Sequence, residues 1–240
     1  MIRFNAADFV DNDFAPCPQN ILFWDTCSLL NYIRYIYRDP TTTTLSNMLF
    51  IHDKVVRGEI FSVASEITID EWNHHIDQEK SEFADNLKLT TQYHLYGINA
   101  INELCGGLAR ASERLDDVHL DDVLLMKVKQ ILNLTYYIKS DEVAAAALGR
   151  ITKVQPPSSR KKQEMKDCAI WETAVNLARV ITSKVPTATN KIVFYTVNTS
   201  DFGDSSSGRT TFNRTLLREA VTFGMSCSLT IDEAARELGA

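Results

Sequence analysis

Apolar runs of strand length alternate along the chain with stretches in which apolar residues recur every three or four positions. The runs at residues 21–24, 59–64 and 191–197 predict strands, and residues 225–229 predict a short last strand. Residues 163–183 are apolar nearly all round a helix, which is typical of a buried helix. Because strands alternate with helices, we predict an α/β fold with a parallel sheet and right-handed crossovers.

Other segments complete this prediction. Residues 1–19 lack periodicity and contain two prolines, so we expect an extension on the surface. Residues 27–37, 45–57 and 66–78 predict helices, and the pattern from 81 to 151 is helical throughout. Residues 155–162 (QPPSSRKK) break this pattern and predict a basic, flexible loop.

Composition narrows the class of protein. Of the 240 residues, 45% are hydrophobic and 23% are charged, as in an ordinary globular protein with a real core. No apolar run approaches the ~20 residues that span a bilayer, so we expect a cytoplasmic protein without a membrane partner. The five cysteines form no C-x-x-C pair and favour reduced core residues. The net charge of -6 argues against indiscriminate nucleic-acid binding but leaves room for a local basic patch.

Four acidic residues stand where such a fold gathers its ligands. Asp25 and Asp201 follow two strongly apolar strands, whose carboxyl ends meet at one edge of a parallel sheet. Asp167 lies in the apolar helix, where an unsatisfied carboxylate is costly. Glu71 comes one turn after Ile67 on the helix that follows the second strand. We therefore expect these carboxylates to converge.

Each acid also has an ordinary structural explanation. Asp25 could cap the next helix, and Asp201 could be a turn residue. Asp167 could pair with Lys166 or a neighbouring arginine, or could be a first-turn acid favoured by the helix dipole, and Glu71 could be solvated. Taken together, four like charges in one crevice repel by several kcal/mol per close pair at an effective dielectric of about 20. A divalent ion removes that cost, and an all-carboxylate set favours Mg²⁺ or Mn²⁺ and phosphodiester cleavage.

The motifs around these acids are F-W-D-T-C-S-L-L, S-E-I-T-I-D-E-W, K-D-C-A-I-W-E and V-F-Y-T-V-N-T-S-D-F-G-D. With them the chain resembles the PIN-domain nucleases, and in particular larger PIN-like proteins that carry a helical insertion. The resemblance implies a single PIN-like domain over residues 1–240, a parallel sheet of order 3-2-1-4-5 flanked by helices, and a helical insertion at 81–155. The usual short third strand is not evident and is expected inside that insertion.

The resemblance also implies an activity and a set of site residues. It implies metal-dependent cleavage of RNA, less often of DNA, by a metal-activated water, with Mg²⁺ or Mn²⁺ as cofactor. The metal ligands and catalytic residues would be Asp25, Glu71, Asp167 and Asp201. Thr196 and Asn198 match polar positions that orient the acids or the metal-bound water, and Asp204 is a further supporting acid.

The basic residues near these motifs have two interpretations. The loop residues Arg160, Lys161 and Lys162, together with Lys166, are either solvated or bind the substrate backbone beside Asp167. A second basic group near Asp201 consists of Arg209, Arg214 and Arg218.

Other functions were weighed against the nuclease. A PIN-like binding or scaffold module with weak or no catalysis is the main alternative. Small-ester phosphatase chemistry lacks the D-x-D-x-T signature and ranks last. Nucleic acid, RNA ahead of DNA, is the expected partner. A homodimer, a cognate inhibitor and a partner from a defence system are left open, the last two by analogy alone.

Overall fold

A sheet of six parallel strands separates two layers of helices. The computed structural model describes residues 2–38, 41–105, 119–160, 162–204 and 210–240. The strands of the sheet are β1 (Arg3–Phe4), β2 (Asn20–Trp24), β3 (Ile60–Ser65), β4 (Tyr136–Ile138), β5 (Ile192–Tyr195) and β8 (Met225–Ser228). A small antiparallel pair lies apart from it and consists of β6 (Gly203–Asp204) and β7 (Thr211–Phe212).

The helices of the described residues follow the strands in alternation. They are α1 (Ala6–Phe9), α2 (Thr26–Arg38), α3 (Thr42–Val56), α4 (Glu66–Cys105), α5 (Leu120–Leu134), α6 (Ala144–Lys153), α7 (Met165–Lys184), α8 (Thr199–Phe202), α9 (Arg214–Thr222) and α10 (Ile231–Glu237). A π-helical turn, Val10–Phe14, continues α1, and a 3₁₀ turn, Asp141–Val143, precedes α6.

The strand order confirms the predicted α/β topology. The order of the strands across the sheet is β1-β4-β3-β2-β5-β8. If β1 is left aside and the other five strands are numbered along the chain, their order is the expected 3-2-1-4-5. The additional strand β1 pairs with β4 at one edge. Helices cover both faces, as the resemblance implied.

Strand β2 lies at the centre of the sheet, and its side chains enter both cores. Leu22 and Trp24 pack in a cluster with residues of α2, α3, α4, α5 and α10. Ile21 and Phe23 point to the other face and pack in a cluster with residues of α1, α7 and α9. All four side chains are fully buried. Burial on both faces explains the unbroken apolar run, and each such side chain contributes about 1.5–3 kcal/mol on burial.

The N-terminal segment is not a surface extension, and that prediction is wrong. Strand β1 joins the sheet, and Phe9, Val10 and Phe14 are fully buried. Phe9 contacts the rings of Phe61 and Tyr136 edge-on. The prediction failed because the apolar residues of the segment are too few and too unevenly spaced to show a period, although four of them, Ala6, Phe9, Val10 and Phe14, enter the core.

The stretch from 81 to 151 is not helical throughout. Residues Tyr136–Ile138 form β4, which lies between β1 and β3 and supplies the missing third strand. This strand follows α5 after a single residue, so its three apolar residues looked like a continuation of the helical pattern. Residues 81–155 therefore contain part of the sheet as well as helices.

Helix α4 is longer than the predicted helix at 66–78. It continues without a break for 40 residues, from Glu66 to Cys105. Its composition is mixed along its length, and none of the helices in the described residues is apolar enough over a sufficient length to cross a membrane.

Candidate functional site

The four predicted acids lie around the carboxyl end of the sheet. Asp25 directly follows β2, and Asp201 lies in α8, which follows β5. Asp167 lies in the first turn of α7, and Glu71 lies in the second turn of α4 after β3. The negative charge of Glu71 raises the pKa of Asp25, and the charges of Asp25, Asp201 and Glu71 raise the pKa of Asp167. The structure thus brings together all four acids that the sequence singled out.

Asp25 is held at the centre of this group. Its side chain is buried and accepts a 2.7 Å hydrogen bond from Thr196 Oγ1. Burial raises its pKa to about 6, the Thr196 hydrogen bond opposes that rise, and the charge of Glu71 adds to it. The backbone N–H groups of Thr26 and Cys27 also donate to the carboxylate, so Asp25 does cap α2. The cap and the buried acid are therefore the same residue, not alternatives.

Ser28 fixes the two strand ends that carry the site. Its Oγ lies 2.6 Å from the carbonyl oxygen of Asp25 and 2.9 Å from that of Tyr195. The backbone N–H of Asp25 donates to the same Tyr195 carbonyl at 3.1 Å. The ends of β2 and β5 are thereby joined beside the acids. Sequence reasoning missed this role, although a serine three residues after Asp25 in the first turn of a helix was a local signal.

Glu71 is oriented by two partners. Thr26 Oγ1 donates to its Oε2 at 2.7 Å, and Lys166 Nζ lies 3.1 Å from its Oε1. The side chain is 18% exposed. Glu71 is therefore not a freely solvated helix glutamate, and Thr26 is a second positioning residue that the sequence analysis missed.

Asp167 is the least satisfied of the four acids. It is half-buried, and among the described residues none donates a hydrogen bond to its side chain. Burial raises its pKa to about 8, the charges of Asp25 and Asp201 add to the rise, and Lys162 opposes it. The proposed pair with Lys166 is not observed, because that lysine contacts Glu71. Without a cation, Asp167 is therefore mostly protonated at neutral pH.

At Asp201, in contrast to Asp167, hydrogen bonds outweigh the effect of burial on the pKa. Its side chain is only 3% exposed, but Lys162 Nζ lies 2.7 Å from its Oδ2 and Ser200 Oγ lies 2.9 Å from the same oxygen. Burial by itself raises the pKa, but hydrogen bonds from Lys162, Asn198 and Ser200 outweigh it and lower the pKa below its ordinary value. Asp201 is therefore ionised.

A short polar chain links Asp25 to Asp201. The backbone N–H of Asn198 donates to Thr196 Oγ1 at 2.9 Å, and Ser200 Oγ lies 2.7 Å from Asn198 Oδ1. The turn that follows is tight, because a Cβ on Gly203 would stand 2.4 Å from the carbonyl oxygen of Thr199. Thr196 and Asn198 thus lie where supporting residues were predicted.

Arg150 and a turn at Lys162 hold the basic loop in place. Arg150 Nη1 donates to the carbonyl oxygen of Pro156 at 2.6 Å, and its other nitrogens bind Glu172 and Glu219. The Lys162 N–H donates to Ser159 Oγ at 3.1 Å and closes a turn. The backbone of Lys162 is therefore fixed beside α7, although its side chain is 49% exposed.

Of the other predicted basic residues, the described ones, Arg160, Arg214 and Arg218, form no ion pair with the four acids among the described residues. Arg160 is exposed and forms no ion pair with a described residue. Lys161 and Arg209 lie outside the described residues. Arg214 and Arg218 lie on α9, and no contact within the described ranges connects them with Asp201. Asp204 lies in β6, where its carbonyl accepts a 3.4 Å hydrogen bond from Thr211.

Two other groups of potential ligands occur, and His74 of the first group lines a surface cavity together with Glu71 and Lys166. His74 and His75 contact each other edge to face, 4.9 Å apart, with His74 exposed and His75 half-buried. At the start of α5, ligand atoms of His119, Asp121 and Asp122 lie within 4.8 Å of one another. A search of the described residues finds no such compact group among the four acids. Lysine ammonium groups balance the charge of two of the acids, Asp201 and Glu71.

The donor chemistry of the four acids fits a hard divalent ion. All the candidate ligand atoms are carboxylate oxygens, which suit Mg²⁺ or Mn²⁺. Cys27 lies next to Asp25, but burial and the charge of Asp25 raise the pKa of its thiol well above the ordinary value. It stays a neutral thiol and is not a soft ligand. Asp167 supplies the strongest argument for a bound cation. No described residue donates a hydrogen bond to its half-buried carboxylate, and a cation would compensate that carboxylate.

Comparison with known protein families gives a match over most of the chain. A protein-family model described as PIN domain matches residues 22–202, a span that contains all four acids. Searches of curated proteins and of solved structures found no match.

Proposed function

Because the chain belongs to the PIN-domain family, whose members are generally nucleases, we propose that it is a metal-dependent endonuclease that cuts RNA in preference to DNA. One observation carries the proposal. Four carboxylates from four elements act on each other at the end of the sheet, and one of them, Asp167, has its pKa raised to about 8. Such a cluster is costly for the fold alone but is suited to a divalent cation.

Asp25, Glu71, Asp167 and Asp201 would hold Mg²⁺ or Mn²⁺. The bound metal would supply an activated water at neutral pH and stabilise the oxygen that leaves. The chain's own residues keep the ligands in place. Thr196 fixes one oxygen of Asp25, and Thr26 fixes one oxygen of Glu71. Supporting hydrogen bonds of this kind orient the metal ligands and thereby raise the affinity for the metal.

The substrate would approach from the side of the basic loop. Lys162 and Lys166 present exposed ammonium groups beside the acids, and Arg160 is exposed on the same loop. Contacts to phosphate oxygens position a nucleic acid without reading its sequence. Lys161 belongs to this proposal by sequence alone.

The direct test is cleavage of a labelled RNA and of a single-stranded DNA of the same sequence in Mn²⁺. We expect the wild-type protein to cut the RNA faster, EDTA to stop cleavage, and Asp25→Asn to lower the rate by at least about a thousandfold. Asp70→Asn is the matched control, because Asp70 precedes Glu71 but binds the N-terminal Arg3. Cleavage that persists in EDTA or in Asp25→Asn would refute the assignment.

A binding module without catalysis is the second candidate. It is favoured by one observation, namely that lysines already balance the charges of Asp201 and Glu71. Calorimetric titration with Mn²⁺ separates the two. A nuclease binds Mn²⁺ through Asp25, whereas the folded binding module gives no heat of metal binding.

A further inference from the structure

Two lysine ammonium groups occupy the positions of counter-ions to two of the four acids. Lys162 Nζ lies 2.7 Å from Asp201 Oδ2 and 3.4 Å from Glu164 Oε1. Lys166 Nζ lies 3.1 Å from Glu71 Oε1. Lys162 lies just before α7, and Lys166 lies in the first turn of this helix. Both are therefore close in sequence to Glu164 and Asp167.

The two members of each pair differ sharply in exposure. The side chains of Asp201 and Glu71 are 3% and 18% exposed, whereas those of Lys162 and Lys166 are 49% and 61% exposed. The acids are fixed by further hydrogen bonds from Ser200 and Thr26. The lysines are long, flexible and reach the site from solvent, so their ammonium groups leave without a change in the backbone. Ion pairs in which one partner is this exposed contribute little to the free energy of folding.

A metal at the acids changes what the lysines face. A divalent ion bound by Asp201 and Glu71 takes over the lone pairs that now accept from the lysines. The ammonium groups are then repelled by the ion and lose their partners. The nearest anions of the right chemistry are the phosphates of a nucleic acid bound at the same metal. Lysine is suited to this exchange because it binds as a point charge on a mobile stem.

We propose that Lys162 and Lys166 are exchange residues, which hold Asp201 and Glu71 in the metal-free protein and bind substrate phosphates once a divalent cation displaces them. This inference rests on the proposed function. As a consequence, metal and nucleic acid bind with positive coupling. The metal frees the lysines from the acids, and bound phosphates keep the lysines from competing with the metal for the acids. The lysines would thus prevent tight binding of RNA before the metal is in place.

The first test measures the metal alone. Free Mn²⁺ is followed by electron paramagnetic resonance during titration of the wild-type protein and of the double variant Lys162→Met, Lys166→Met. The methionines keep the length of the stem but remove the competitor, so Mn²⁺ should bind about tenfold more tightly. Arg160→Met removes a charge from the same loop without removing an ion pair and should change the affinity less than about twofold. Unchanged affinity in the double variant, or equal tightening in Arg160→Met, would overturn the exchange.

The second test measures nucleic acid. Anisotropy of a labelled RNA is recorded in EDTA and in Ca²⁺, and a gel verifies that the RNA stays intact. Wild-type protein should bind about tenfold more tightly in Ca²⁺, and the double methionine variant should lose most of this gain. The variant Lys162→Arg, Lys166→Arg should restore binding, whereas Arg160→Met should weaken binding equally in both buffers. A full metal-dependent gain in the methionine variant would contradict the inference.

These outcomes separate the inference from the proposed function. If the wild-type protein binds no Mn²⁺, or if Asp25→Asn binds it equally well, the proposed metal site and the exchange both fail. If Mn²⁺ binding needs Asp25 but is indifferent to the lysines, only the exchange fails. Circular dichroism of every variant verifies that the fold is retained.

Discussion

Thr196 Oγ1 donates a 2.7 Å hydrogen bond to Asp25 Oδ2 and so joins the ends of the adjacent strands β5 and β2. Both residues are buried, with 0% and 1% exposure. The backbone N–H of Asn198 donates to the same Thr196 oxygen, which directs the hydroxyl proton toward Asp25. The orientation of the central acid therefore depends on a residue far away in the sequence.

Replacement of Thr196 by valine should impair the site more than the fold. Valine has nearly the same shape but leaves the Asp25 carboxylate without its donor, so the pKa of Asp25 should rise above about 6. We expect the Mn²⁺-dependent cleavage rate to fall by about 10- to 100-fold. The measurement is the single-turnover rate at saturating RNA.

Thr196→Ser is the matched control. Serine keeps the hydroxyl and should retain a rate within about threefold of the wild type. An equal loss in the serine and valine variants would contradict this account, because serine keeps the hydroxyl that donates to Asp25.

Metal binding should be steeply pH-dependent. The ion binds ionised carboxylates, whereas the metal-free protein holds Asp167 and Asp25 with pKa values of about 8 and about 6. As pH falls below about 8, the apparent Mn²⁺ affinity should drop by about tenfold per pH unit, and more steeply below about pH 6. Calorimetric titrations from pH 5 to pH 9 measure this slope. A flat profile over that range would contradict the account.

Asp167 should destabilise the metal-free fold in alkaline solution. Its folded-state pKa of about 8 exceeds its ordinary value of 3.8, so the folded state binds the proton more tightly. The resulting stability is complete below about pH 4 and is lost as pH rises to about 8. In EDTA at pH 8, Asp167→Asn should therefore raise the free energy of unfolding, on the order of 2 kcal/mol.

Urea denaturation at pH 5 and pH 8 tests this prediction. The difference between Asp167→Asn and the wild type should be small at pH 5 and clear at pH 8. The variant should also lose Mn²⁺ binding, so that stability and metal affinity change in opposite directions. A variant that is less stable than the wild type at pH 8 would be inconsistent with this account.

The strong sequence signals gave most of the fold and the four acids. Buried parallel strands such as β2 and β5 are apolar on both faces, so their runs and the acids after them stand out. The capping box before α10 is equally local, since Thr230 Oγ1 accepts from the N–H of Glu233, three residues later, at 3.2 Å. Such features are local, and their cause lies within a few residues.

What escaped the sequence depends on distant partners. Strand β4 is three residues long and is defined by its pairing with β3 and β1, not by its own pattern. The contacts of Thr26 with Glu71 and of Lys162 with Asp201 join residues 45 and 39 positions apart. A pair between Lys166 and Asp167 was one of the ordinary explanations of that acid, whereas the fold brings Lys166 to Glu71.

Arg150 should be required for the basic loop to hold its place. Its guanidinium is 7% exposed and binds Glu172, Glu219 and the Pro156 carbonyl, while Glu219 also accepts from Trp171 Nε1. Arg150→Met leaves two partly buried carboxylates without their cation and should lower the free energy of unfolding by about 3 kcal/mol. Thermal denaturation measures this loss.

A surface arginine serves as the comparison. Arg179→Met removes a charge from α7 that contacts only Asn176 among the described residues, and it should change stability by less than about 0.5 kcal/mol. Similar effects of both substitutions would contradict the anchoring role of Arg150.

The most direct measurement is a crystal structure of the protein soaked in Mn²⁺, with anomalous diffraction used to locate the ion. The account predicts a strong peak among Asp25, Glu71, Asp167 and Asp201, with carboxylate oxygens at about 2.0–2.3 Å and with Lys162 and Lys166 turned away. It would be contradicted by a fully occupied Mn²⁺ peak only at His119, Asp121 and Asp122, with the four acids still paired to their lysines.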